Sequence, residues 1–396
     1  MDCGWNGNYQ PFRFSSLKGD ESRLPLHTKK AKIQNATKKV KYMFNKNLFA
    51  KKLSSVEPYA VDTGVYKARL DANESFIALP RYIRERISAA LASFDYNRYP
   101  DPNASKLKDA FCDYYGLKAE NVGVGNGSDE VISLLMNCFL DAGSCVLTFT
   151  PDFSMYSFYA SLAGMKVVTC PKRADFSIDF DLAEKTIKEN NVKLVIFSNP
   201  CNPTGRIEKK ADIQKLSQLC PDTIFVVDEA YMDFALIKDS ESFLNETESY
   251  PNIVVLKTLS KALGAASLRL GFIVADKTFA DMFFAVKSPY NVNGVSQVIG
   301  EILLREKAFL DECTKRLTDS AQKLRCEIIE KGLGNPYETY TNFVFYTDPD
   351  AENKQKYLRE NGVLIRKFAI SGGALRITAG NEEENRAVID LLEQFA

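Results

Sequence analysis

Histidine is nearly missing from this chain of 396 residues: the single one, His27, lies far in sequence from every other polar cluster. A histidine-based nucleophilic triad or a zinc protease site is thereby excluded, since each needs imidazoles beside the reacting groups. Nine cysteines are scattered without a C-x-x-C pair, which argues against zinc and fits a reducing, cytoplasmic setting. No apolar run reaches the roughly 18 residues that a membrane-spanning helix needs. Net charge is lacking too: 51 basic side chains balance 51 acidic ones, so global electrostatics predict neither nucleic acid nor membrane as a partner. What remains, 45% hydrophobic and 26% charged residues, is the composition of a globular protein. The length exceeds the ~250–300 residues at which a single core stops growing, so two domains are expected.

Residues 1–43 read as a flexible basic tail, polar and aperiodic, with Lys29, Lys30, Lys32, Lys38, Lys39 and Lys41 close together. It lacks the apolar stretch and small-residue cleavage site of a signal peptide. A solvated tail is expected rather than a nucleic-acid anchor. A further reading takes Met43 as the biological start, which the mass of the natural N-terminus decides.

From about residue 80 the chain alternates strands with helices. CVLTFTP (145–151), KVVTC (166–170), LVIFSNP (194–200), IFVVDEA (224–230) and IVVLKT (253–258) are short, continuous apolar runs. Segments of helical spacing such as DLAEKTIKENN lie between them, which predicts a mainly parallel sheet covered by helices on both faces. Such sheets bind ligands beyond the carboxyl ends of their strands.

Four polar clusters stand near strand ends. In GVGNGSDEVISLLMNCF, Gly123, Gly125 and Gly127 permit a tight backbone path into a helix capped by Ser128 or Asp129, with an apolar face of Val131, Leu134, Leu135 and Cys138. A helix N-terminus suits a phosphate; the rival dinucleotide fingerprint fits the G-x-G-x-G spacing poorly. SNPCNPTG (198–205) is stiffened by two Asn-Pro pairs and is either a plain strand-ending loop or a mount for the Asn202 amide. Asp228 of DEAY ends a strand, where a buried carboxylate needs a cation, either a structural lysine or the protonated nitrogen of a heteroaromatic ring. TLSKALGAASLRLGF (258–272) sets Lys261 and Arg269 among small residues. There desolvation favours a nucleophilic amine and a guanidinium suits phosphate, with Thr258 and Ser260 adding hydroxyls. Together these groups specify an aldehyde held by an amine, a ring nitrogen held by a carboxylate and an anchored phosphate, which is pyridoxal 5'-phosphate.

The ordered motifs GNGSDE, NPxNPTG, DEAY and SK…LRLG resemble the fold-type I pyridoxal-phosphate aminotransferases of class II, most closely their histidinol-phosphate branch, from about Leu53 to the C-terminus. The resemblance implies the fold-type I α/β transferase architecture. A large cofactor-binding domain spans 77–287, on a seven-stranded sheet, and a smaller α/β domain joins 44–76 to 288–396. By the same resemblance Lys261 carries the cofactor and moves the proton at the substrate's reacting carbon. Asp228 holds the ring nitrogen, Tyr231 and Asn202 bond the ring oxygen, and Phe153 of TPDFSMY stacks on the ring where relatives often have tyrosine. The phosphate is expected among Thr258, Ser260, Arg269 and the amides of Gly127, Ser128 and Asp129, with Tyr99 of YNRYPDP reaching in from a neighbouring subunit of a homodimer. Tyr59 of SSVEPYA, Asn73, Arg366 of GVLIRKF and Arg376 of GGALRITAG are expected at the substrate.

The activity implied is transfer of an amino group between L-histidinol phosphate and 2-oxoglutarate, in histidine biosynthesis. DANESFIALP and GAASLR depart from the usual forms by losing a glycine each. A threonine-phosphate decarboxylase or an aromatic amino-acid aminotransferase of the same fold remains an alternative. Outside this class stand a non-catalytic regulator of the same fold, for which the tail lacks a helix-turn-helix pattern, and a nucleic-acid binder using the lysine arm.

Overall fold

A computed structural model describes residues 48–50, 52–53, 62–238 and 240–395. The basic tail, His27, Met43 and Tyr59 lie outside the described residues. Contacts divide the chain at Phe49 and Ala50, and the description concerns the second unit, from Ala50 onward.

Eleven strands are described: β1 (Ala68–Leu70), β2 (Val122–Asn126), β3 (Cys145–Thr150), β4 (Lys166–Pro171), β5 (Val192–Ser198), β6 (Ile224–Asp228), β7 (Ile253–Thr258), β8 (Leu270–Val274), β9 (Phe343–Thr347), β10 (Val363–Phe368) and β11 (Ala374–Thr378). All five apolar runs read from the sequence are strands. β2 to β8 form a seven-stranded sheet in the order β2-β8-β7-β6-β5-β3-β4. β3 to β7 run parallel to one another, while β8 is antiparallel to both β2 and β7.

The continuous apolar runs are explained by burial on both sides. On β5, Val195 and Phe197 join one core cluster and Leu194 and Ile196 join another, because successive side chains of a strand point to opposite faces. Helices 105–115, 180–190 and 210–219 pack their Phe111, Ile187 and Ile213 into the first cluster. Helices 127–138 and 155–162 supply Leu135 and Tyr156 to the second.

The helix Gly127–Cys138 differs from its sequence-based reading in two respects. It buries Val131, Ile132, Leu135 and Met136, whereas Leu134 is half-buried and Cys138 exposed. It buries an i, i+1, i+4, i+5 stripe rather than the expected i, i+3, i+4, i+7 stripe, within one cluster shared with Tyr156, Ile273 and Phe283. Neither Ser128 nor Asp129 caps it; instead Glu130 Oε2 accepts from the Asn126 amide at 2.6 Å.

A second, four-stranded sheet has the order β1-β10-β11-β9, with β1 parallel to β10 and the other pairs antiparallel. Its core joins Val344, Tyr346, Ile365 and Ile377 to Leu324 and Ile328 of the long helix Lys307–Glu330. No helix among the described residues is long and apolar enough to cross a membrane.

Candidate active site

The order of the large sheet reverses between β3 and β5, with β4 beyond one and β6 and β7 beyond the other. Carboxyl ends that diverge at such a point leave a crevice, and a cavity of about 200 Å³ lies there. It is lined by Ser128, Asp129, Phe153, Ser198, Asn202, Asp228, Tyr231, Thr258, Ser260, Lys261 and Arg269. Ten of the residues expected at a cofactor from the sequence are therefore brought together, although they come from five separate stretches of chain. No group of three or more histidine, cysteine or acidic residues that could hold a metal exists among the described residues.

Asp228 closes β6, in register with Ser198 of β5. Its carboxylate accepts from Tyr156 Oη at 2.8 Å and from the Ala230 amide at 3.0 Å. Burial dominates those two bonds and pushes the carboxyl up to about 6. Among the described residues no lysine or arginine pairs with it, so the structural-lysine alternative falls away and the group is left to meet a cation from the cavity side. A protonated ring nitrogen supplies one.

On the opposite side glycines leave the backbone bare. A Cβ on Gly271 would lie 2.3 Å from the Gly127 carbonyl carbon and 2.4 Å from the Ser128 amide nitrogen, so β8 runs directly beneath the start of the helix. Gly127 has φ +79°, and a Cβ there would meet Arg269 Nη2 at 2.7 Å. The guanidinium thus lies across the helix N-terminus, whose free amides favour anions. Arg269 itself has φ +51°, a strained conformation for a side chain of that size. It donates to the Ala266 carbonyl at 3.1 Å and pairs with Asp129 at 3.3 Å, both groups being half-exposed. Such a pair contributes little, so a phosphate can compete for the guanidinium. Thr258 Oγ1 stands 2.9 Å from Ser260 Oγ on the same side. A buried carboxylate facing an anion cradle of bare backbone, hydroxyls and a guanidinium fits the pyridoxal phosphate inferred from the residues.

Lys261 Nζ donates to the Ala72 carbonyl at 3.0 Å and stands 5.9 Å from the centre of the Tyr231 ring. Tyr231 Oη accepts from Asn73 Nδ2 at 2.8 Å. Asn73, in the left-handed region at φ 55°, also accepts from Thr378 Oγ1 at 3.0 Å. It thus ties Tyr231 to β11 and sits at the site's edge with its amide engaged. Phe153 packs edge-on against Tyr156, with centroids 5.4 Å apart.

A wider cavity of about 460 Å³ adjoins the first and shares Phe153, Asn202, Tyr231 and Lys261 with it. Arg366 and Arg376 both open onto it, and they are direct cross-strand partners between β10 and β11. Two guanidiniums on one face of the sheet, each a donor of paired N–H groups, suit an acidic group in this cavity. Arg376 donates to Asn202 Oδ1 and to the Asp71 carbonyl, each at 2.5 Å, and both oxygens are neutral. Tyr99 stands apart from both cavities, 82% exposed and stacked on Tyr290 with centroids 4.6 Å apart.

Three residues of the site were missed in the sequence. Tyr156 lies one helical turn after Phe153 in the quoted TPDFSMY, and Asp152 precedes Phe153; Ser198 opens the quoted SNPCNPTG. Only their place after strand ends offered a signal, and each carries an unremarkable side chain for a turn.

Residues 64–392 match the family described as aminotransferase class I and II. The histidinol-phosphate aminotransferase of Clostridium novyi (strain NT) is 40% identical over 348 residues, 87% of this chain and 96% of that protein. That of Thermococcus gammatolerans is 33% identical over 347 residues, again 87% and 96%. In fold, the chain resembles the crystal structure of histidinol-phosphate aminotransferase from Sinorhizobium meliloti in complex with pyridoxal-5'-phosphate, with a TM-score of 0.79 at 23% identity, covering 88% of this chain and 98% of that one. It also resembles the L-threonine-O-3-phosphate decarboxylase of Porphyromonas gingivalis, with a TM-score of 0.71 at 22% identity and 83% and 99% coverage. With the match spanning residues 64–392, and with lysine, carboxylate and anion cradle converging on one crevice, this chain belongs to the class I and II aminotransferases.

Proposed function

We propose that this enzyme moves an amino group between L-histidinol phosphate and 2-oxoglutarate, using pyridoxal 5'-phosphate, in a cytoplasmic homodimer with shared active sites. The observation that carries the reading is the cross-strand pair Arg366 and Arg376 opening onto the cavity that holds Lys261. Two guanidiniums suit a phosphate in one half-reaction and a carboxylate in the other, and the relatives at 33–40% identity are named histidinol-phosphate aminotransferases.

Bound in the crevice, the cofactor supplies an aldehyde carbon for the amine and an electron-withdrawing ring. Lys261 takes the proton from the substrate's reacting carbon and returns it on the cofactor side. Asp228 keeps the ring nitrogen protonated, Tyr231 and Asn202 donate to the ring oxygen, and Phe153 covers one face. The amides of Gly127, Ser128 and Asp129, the Thr258 and Ser260 hydroxyls and Arg269 hold the phosphate. Exposed Tyr99 is assigned to the phosphate of the neighbouring subunit, and Asn73 to the orientation of Tyr231 at the substrate's edge. Tyr59, outside the described residues, is assigned to the partner's substrate. The large domain is taken as 77–287, and the small one as 44–76 with 288–396.

Glutamate formation from 2-oxoglutarate, measured with L-histidinol phosphate, phosphothreonine and phenylalanine in turn, tests the reading. Turnover fastest with L-histidinol phosphate is expected. A preference for phenylalanine, or carbon dioxide release from phosphothreonine, would contradict it.

A further inference from the structure

The chemistry above uses Asn202 and Arg376 but not the buried charges behind them. Asp152, just after β3, and Lys172, just after β4, form an ion pair at 3.1 Å with side chains only 2% and 1% exposed. Taking two charges out of water is costly, and their attraction repays it only when further bonds hold both groups. Those bonds lead toward the site. Asp152 Oδ1 accepts from the Phe153 amide at 2.8 Å and from the Ser198 hydroxyl. Ser198 Oγ accepts from the Asn202 backbone N–H at 3.0 Å, and Asn202 Oδ1 accepts from Arg376. A guanidinium carries donors only, so it obliges Asn202 to present its oxygen, which leaves Nδ2 to donate toward the cavity.

We propose that Asp152, clamped by Lys172, is a positioning residue for substrate binding. Through Ser198 it fixes the Asn202 loop, and through Asn202 it fixes both the amide donor facing the crevice and the guanidinium of Arg376. This rests on the functional reading above, in which Arg376 grips the substrate's acidic group. A staple merely joining β3 to β4 would need neither Ser198 nor Asn202 in the chain of bonds.

Ser198→Ala breaks the relay while leaving the buried charges paired. In the holoenzyme, its Kd for 2-oxoglutarate, read from the cofactor's visible absorbance, is expected to rise about tenfold, the effect of one lost hydrogen bond. The pH at which that absorbance changes is expected to move as well, because the Asn202 donor is no longer fixed. A Kd and a pH midpoint both equal to wild type would overturn the proposal, whatever happens to Tm. If Ser198→Ala does not fold, the double variant D152A/K172M deletes the hub without leaving a lone buried charge. It is expected to show the same rise in Kd, and an unchanged Kd beside a lowered Tm would reduce the pair to a staple. A wild-type holoenzyme without affinity for 2-oxoglutarate would instead sink the functional reading, and the pH midpoint would still decide this one.

Discussion

Burial pushes the Asp228 carboxyl up to about 6, and the sign of that shift determines how the cofactor-free protein responds to pH. An acid whose folded pKa lies above its unfolded one binds protons more tightly when folded. Stability is therefore highest below pH ~4 for this group and is lost as pH climbs through about 6. At ~1.4 kcal/mol per unit the full cost is about 3 kcal/mol. Asp228→Asn removes the ionisation and keeps the acceptor for the Ala230 amide. The cofactor-free variant is expected to melt several degrees above wild type at pH 8 and level with it at pH 4, while binding the cofactor at least tenfold more weakly. Equal melting temperatures at both values would contradict this account of Asp228. Gly271 offers a steric counterpart, since its Cβ would lie 2.3 and 2.4 Å from backbone atoms that cannot swing aside. Gly271→Ala is expected to cost about 1–3 kcal/mol through overpacking and to loosen the phosphate cradle, measurable as a raised Kd for the cofactor.

At the scale of elements, β10 and β11 carry the substrate reading. Arg366 and Arg376 face one another across the two strands and open onto the same cavity, so Arg376→Ala is expected to raise KM for 2-oxoglutarate and for the phosphorylated donor by tenfold or more, with cofactor retention nearly unchanged. Unaltered Michaelis constants would remove Arg376 from the site. The two arginines were legible in the sequence, but their register was not, because pairing across an antiparallel sheet depends on the turn between strands. The five central strands were legible because burial on both faces makes them uniformly apolar. Lys257 of IVVLKT is 1% exposed and bonded to Asp233 at 2.7 Å; only tertiary contact reveals such a pair. The helix 127–138 was legible in its extent and misread in its face, since Ile132 and Met136 pack against Tyr156, Ile273 and Phe283, which are distant in sequence.

At the scale of the whole molecule, the site depends on stretches that are distant in sequence. Asn73 bonds Thr378 across 305 positions and Tyr231 across 158, which ties the segment before the large sheet to the last strand of the small one. The residues of the crevice could be named from ordered motifs. The relay behind them could not, because Asp152, Lys172 and Ser198 meet only once β3, β4 and β5 lie side by side. Exposed Tyr99, remote from its own crevice, supports the shared-site dimer. Mixing inactive Lys261→Ala with Tyr99→Ala is expected to yield more activity than the sum of the two preparations, since one site of the heterodimer is then intact; strict additivity would count against shared sites.

The most direct test is the visible spectrum of the purified holoenzyme during one full cycle. L-Histidinol phosphate should abolish the absorbance of the lysine-bound cofactor and 2-oxoglutarate should restore it, with Lys261→Ala showing neither change. A spectrum indifferent to L-histidinol phosphate but responsive to another amine would contradict the proposed substrate, and a wild-type cycle reproduced by Lys261→Ala would contradict the role of the lysine on which the account turns.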